Sequence, residues 1–150
     1  MTYAAEILPA DIVSTMLSSY WDTHGNYIPM PNFFVLNDGT NSQIRVDLQR
    51  GDYLILAAEV PAEEETPIAN WNYGHKTTKV QIEVSTKENR QRLYDLKREI
   101  RRIVHTQTHL VTGYYRIKYV SFNELVGEYL NIWVGEIVIE LESHAILLEI

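Results

Sequence analysis

Between Lys79 and His105 the hydrophobic period of the chain changes from two to about 3.6 residues. Val80, Ile82 and Val84 alternate with Lys79, Gln81 and Glu83, the pattern of a strand with one dry and one wet face. Leu93, Leu96, Ile100, Ile103 and Val104 then recur at helical spacing as one apolar stripe. Between them Ser85-Thr86-Lys87-Glu88 matches a capping box, in which a Ser hydroxyl and a Glu carboxylate satisfy free amides at a helix start. The helix is expected to run from there to about His105 or His109. A half-wet strand and a one-faced helix bury their apolar sides against other elements, which asks for layers.

The rest of the chain supplies those layers. Pro9 stands where a helix can begin, and Ile12, Val13, Met16, Leu17 and Tyr20 follow at helical spacing. That helix should end before Gly25-Asn26 and the Pro29/Pro31 pair. Phe33 to Leu36 reads as a strand, Gln43 to Leu48 as an alternating strand, and Tyr53 to Val60 as a more deeply buried one. Gln49-Arg50-Gly51-Asp52 is a tight turn. Its Arg-Gly-Asp is read as turn chemistry rather than as an adhesion motif. Tyr114 to Val120 is a strand carrying Arg116 and Lys118, and residues 121–128 are a short helical turn or a loop. Tyr129 to Leu141 is the last strand, with a change of phase expected at a bulge near Gly135. Glu136 and Glu140 would then face Arg116 and Lys118 across an antiparallel pair. The apolar end, 142–150, reads as a further short strand or an arm. The fold class expected is α+β: a two-layer sandwich, a largely antiparallel sheet with two helices on one face.

At 150 residues the chain has the length of a single domain, 1–150. Its composition, 45% hydrophobic and 22% charged, is that of a folded soluble protein. No apolar run approaches the ~18 residues of a membrane span, and MTYAAEILPAD lacks the basic start and apolar core of a signal peptide. A cytoplasmic domain is the reading that follows. The absence of cysteine removes disulfides and thiolate metal sites. A net charge of −7 argues against general nucleic-acid binding, because phosphate rewards a basic surface.

Within that acidic chain the stretch KENRQRLYDLKREIRR, residues 87–102, holds seven of the thirteen Lys and Arg. With three acids it carries +4, leaving −11 for the remainder. On a helical wheel Lys87, Arg90, Lys97, Arg98 and Arg101 fall on one flank and the back. Glu88, Asp95 and Glu99 gather on the other flank with Arg92 among them. Ion pairs four residues apart, such as Glu88 with Arg92, explain some of these charges but not their separation. A helix basic along one edge suits an interface with an acidic neighbour, where opposed patches guide encounter and fix orientation. The acidic segment 61–76, PAEEETPIANWNYGHK, reads as the longest irregular connection and offers Glu63, Glu64 and Glu65 as such neighbours. Its Trp71 and Tyr73 are either anchored back on the domain or offered to a partner.

The usual catalytic signatures fail: there is no phosphate-binding glycine loop, no Gly-x-Ser-x-Gly elbow and no His-Glu-x-x-His. His105 and His109 have metal-ligand spacing, but no nearby carboxylate or Cys completes a set, and a His near a helix C-terminus has a plain electrostatic role. No catalytic residue, metal or cofactor is expected.

The order of elements, with Tyr20-Trp21-Asp22, Ile28-Pro29, Gly51-Asp-Tyr-Leu-Ile55, Lys79-Val-Gln-Ile-Glu-Val-Ser-Thr86, Leu-x-x-Glu-Ile-Arg-Arg-Ile over 96–103, Trp133 and Glu-Ile-Val-Ile-Glu over 136–140, resembles the tail-completion or tail-terminator proteins of long-tailed phages and related archaeal viruses. The resemblance spans nearly the whole chain and rests on layout rather than on one motif. It implies a virion protein without an active site, assembling as a ring, commonly of six. Such a ring caps the tail tube and joins it to the head connector, after assembly in the host cytoplasm. Tube and connector proteins would be its partners, and its lumen would leave room for DNA to pass. The competing reading is a non-enzymatic regulatory or binding module whose basic helix, 87–102, engages an acidic partner or nucleic acid.

Overall fold

A computed structural model describes residues 9–22, 28–35, 52–67, 73–111, 113–125 and 132–146. The elements are α1 (Pro9–Tyr20), β1 (Asn32–Val35), β2 (Tyr53–Pro67), β3 (Tyr73–Thr86), α2 (Arg90–Thr106), β4 (Arg116–Leu125) and β5 (Trp133–Ile146). The strands form one sheet in the order β1-β2-β3-β5-β4, with β1 parallel to β2 and every other neighbour antiparallel. Alternation sends Leu54 and Leu56 of β2, Val80, Ile82 and Val84 of β3, and Ile137, Ile139 and Leu141 of β5 to one face, where all are buried. Val13, Met16 and Leu17 of α1 and Leu93, Leu96, Ile100, Ile103 and Val104 of α2 meet them in one core. This is the two-layer α+β sandwich expected from the periodicity, with both helices on the dry face.

Several boundaries differ from the sequence reading. Residues 61–76 are not one irregular connection: 61–67 continue β2 and 73–76 begin β3, paired from Glu63↔Thr78 to Pro67↔Gly74 beyond a register shift after Ala58. Pairing with the next strand, β3, itself held by β5, overrides the low strand propensity of the acidic run. The helix start also moves. Ser85 and Thr86 are still strand, and Asn89 caps α2, its side chain accepting from the Arg92 amide at 2.8 Å. Thr86 instead donates to Asp52 (2.5 Å) and accepts from the Glu88 amide (3.2 Å). Residues 121–125, expected as a short helical turn or a loop, extend β4. Residues 142–146 are not a free arm but the end of β5, paired with Tyr73 to Thr77 of β3. The expected strand 43–48, Trp71 and residues 147–150 lie outside the described residues.

Gly135 marks no change of phase. β5 keeps unbroken register with β3 from Thr86↔Trp133 to Tyr73↔Ile146, and the bulge sits opposite, in β4, where Val120 is the extra residue. Val134 and Val138 are therefore half-buried apolar residues on the far side of the sheet, not members of the core row. Lys118 pairs with Glu140 as expected. Arg116 opposes Glu142, while Glu136 opposes Asn123. What Gly135 provides is room: a Cβ there would stand 2.5 Å from a carbon of the Phe122 ring. That ring lies edge-on to Tyr94, with centroids 5.6 Å apart, and Lys97 covers it, so it has little freedom to yield. Gly135→Ala is expected to cost about 1–3 kcal/mol through overpacking, seen as a lower thermal midpoint, and Phe122→Leu in the same chain should recover part of the loss.

Candidate functional site

Helical spacing places Arg90, Tyr94, Lys97 and Arg101 in one row along the side of α2 that borders β4. Beneath the row lie aromatic rings from both elements. Arg90 sits over the Tyr94 ring at 5.7 Å, Lys97 over Tyr94 at 5.2 Å and over Phe122 at 4.9 Å, and Arg101 over Tyr119 at 5.9 Å. Each ring face attracts its cation and limits the rotamers open to a long side chain. At the start of the row, Arg90 donates from Nε (3.2 Å) and Nη2 (2.8 Å) to one oxygen of Glu124, and the Tyr94 hydroxyl donates to the same oxygen at 2.8 Å. The Arg90 contact, and then the Tyr94 one, hold the Glu124 carboxyl below its ordinary value. Gln91, Tyr94, Asp95, Lys97, Arg98 and Arg101 line a shallow recess of about 290 Å³ on this surface. Arg98 is open to solvent: its side chain is 67% exposed, with one long contact of 3.6 Å to Asp95. The strip is therefore a held line of positive charge over aromatic faces, suited to carboxylates on a partner.

Of the residues singled out by charge, Arg90, Lys97, Arg98 and Arg101 come together on this strip. Lys87 does not share the helix, because α2 begins at Arg90; it is exposed in the bend that precedes the cap. Glu63, Glu64 and Glu65 stand in the distal half of β2 and Tyr73 at the first position of β3; their side chains lie outside the described residues. His105 lies edge-on to Tyr119 at 6.4 Å, and His109 Nδ1 meets the Tyr115 carbonyl at 2.9 Å. Among the described residues no group of three His, Cys, Asp or Glu is placed to hold a metal.

The opposite flank of α2 is not a surface of solvated pairs. Arg92 is only 7% exposed; its Nε donates to Asp52 at 2.7 Å and its Nη2 to the Pro29 carbonyl, so it does not pair with Glu88. Glu99, 4% exposed, accepts from Arg102 and, at 3.3 Å, from the Asp22 amide, while Arg102 also donates to the Tyr20 carbonyl at 2.9 Å. These residues tie α2 to the end of α1 and the entry to β1.

A further cluster carries no sequence signature. His75 of β3 meets the Tyr115 hydroxyl, and Glu142 of β5 lies 4.0 Å from His75 and 3.7 Å from Arg116 of β4. Strand register assembles it from three segments, β3, β5 and the start of β4, which local spacing does not reveal.

Arg92→Ala is expected to destabilise the fold by about 3–5 kcal/mol, because it leaves Asp52 buried without its countercharge. Arg98→Ala, on the exposed strip, should change stability by less than about 1 kcal/mol. Urea midpoints of the two variants measure the contrast. Compared with known proteins, the chain matches no family model and no curated protein.

Proposed function

We propose that the protein is a structural component of a virus tail: a ring, commonly of six copies, that completes the tail tube and joins it to the head connector. The observation that carries this reading is the segregated charge. An acidic chain of net charge −7 holds a line of cations, Arg90, Lys97, Arg98 and Arg101, over aromatic rings on one edge of α2. The layout of elements adds to it, through the resemblance to tail-completion proteins. The strip and the distal half of β2, where Glu63, Glu64 and Glu65 stand, are different parts of the subunit; a contact from one to the other, repeated head to tail between copies, closes into a ring when the rotation between neighbours allows it. Tube and connector proteins then contact the ends of the ring. The role needs binding surfaces and register rather than a reaction.

Light scattering of the purified protein at low and high salt tests the reading. The expected result is a discrete assembly several times the 17.4 kDa chain mass at low salt. It should loosen as salt rises, since exposed charges are screened over about 10 Å at 0.1 M. Arg98→Glu with Arg101→Glu should abolish assembly while leaving the far-ultraviolet circular dichroism unchanged. A monomer of 17.4 kDa at every salt and concentration overturns the ring.

A further inference from the structure

The sheet face turned away from the helices carries its charges in cross-strand rows. In one row Lys79, Glu140 and Lys118 alternate in sign across β3, β5 and β4. In another, Glu142 lies between Thr77 and Arg116, with Arg116 Nη1 3.7 Å from its carboxylate. The row of Ile55, Glu83, Glu136 and Asn123 breaks this order. It sets two carboxylates directly opposite each other with no cation among the four, an arrangement that destabilises an antiparallel pair. Both glutamates are half-buried and line a recess of about 290 Å³ whose other walls are Ile55, Ala57, Gln81 and Leu125. Burial first, and then the Glu136 charge, push the Glu83 carboxyl above its ordinary value.

We propose that this recess is the seat for the basic edge of α2 from a second copy of the chain, with Glu83 and Glu136 receiving the guanidinium groups of Arg98 and Arg101. The inference rests on the ring reading and names the partner surface for its basic strip. Charge complementarity carries it. The carboxylate pair has no cation in its cross-strand row and lines a partly apolar recess, and the strip presents forked donors at an exposed edge. Within one chain the two cannot meet, because Glu83 and Glu136 are on the open face while α2 covers the other. The contact is therefore between copies, and with strip and recess on opposite sides of the sheet it runs head to tail. The charge on Glu63–Glu65 would guide the approach, and the recess would fix the final position.

Two measurements on the full-length chain test the seat. The first compares the wild type with Glu83→Gln/Glu136→Gln. Removing the like-charge repulsion should raise the thermal midpoint of the subunit by about 2–4 °C, while the dissociation constant of the assembly rises at least about tenfold. A subunit that becomes more stable while its assembly weakens is not what a purely structural pair would give. The second mixes Glu83→Lys/Glu136→Lys with Arg98→Glu/Arg101→Glu. Each variant alone should stay monomeric, and the mixture should assemble, since every seat then meets an edge of opposite charge. If the Gln variant assembles with unchanged affinity, the seat is overturned while the ring stands. If the wild type itself is monomeric throughout, the ring reading falls and the seat with it. Should the Lys variant fail to fold, the Gln comparison alone decides between these outcomes.

Discussion

The salt bridge between Arg92 and Asp52 fixes the register between the helix layer and the sheet. Asp52 stands immediately before β2 and receives both the Arg92 guanidinium and the Thr86 hydroxyl, so the start of β2, the end of β3 and the first turn of α2 share one carboxylate. The same guanidinium reaches the Pro29 carbonyl on the way into β1. One turn and more further on, Glu99 and Arg102 bind the end of α1. Charges taken this far from water cost several kcal/mol each unless their hydrogen bonds are met, and here they are met by groups from four separate segments. An apolar stripe can slide along a sheet by a turn with modest loss. Two buried charged groups with directional partners cannot.

That requirement also sorts the charges of α2. Arg92 and Glu99 are drawn inward, and Arg102, though partly exposed, is tied to Glu99 and the Tyr20 carbonyl; together they hold α1 and the entry to β1, leaving Arg90, Lys97, Arg98 and Arg101 on the edge beside β4. The edge is then shaped by β4, whose Phe122 and Tyr119 provide the ring faces under the cations. Phe122 occupies the space that Gly135 leaves open on β5. A missing side chain in one strand thus sets the position of an aromatic in the next, and that aromatic positions Lys97 on the helix above.

Much of this was legible in the chain and some was not, for physical reasons. The stripe from Leu93 to Val104 and the alternation of Val80, Ile82 and Val84 were readable because a one-sided core imposes its period on the sequence. Arg92 was not: on a helical wheel it is one more cation, and its role depends on an aspartate forty positions earlier. The cap was misplaced because Ser85 and Asn89 are both good cap residues, and strand pairing with β5 keeps Ser85 extended. The distal half of β2 was hidden because its glutamates disfavour strand, and only β3 alongside makes it one. The strip was half visible: the cations could be counted, but the rings under them come largely from β4. The opposition of Glu83 and Glu136 follows from strand register, which no local pattern encodes.

Layering and charge together give the subunit a direction. The helices cover one face of the sheet, so that side ends in the basic edge of α2; the other face carries the carboxylate row. A two-fold contact would have to hold both patches in one interface, each copy giving its strip to the other's recess, and the two lie on opposite sides of the sheet. Satisfying both patches between copies therefore requires a heterologous contact, repeated in one sense around an axis or along a line. Which of the two results depends on the rotation between neighbours. The tethers at Asp52 and Glu99 hold α2 at a set position over the sheet, so they also set the angle between edge and recess. On this reading the ionic groups of α2 act in two ways: the inner set fixes the geometry of the subunit, and that geometry decides whether the outer set closes a ring.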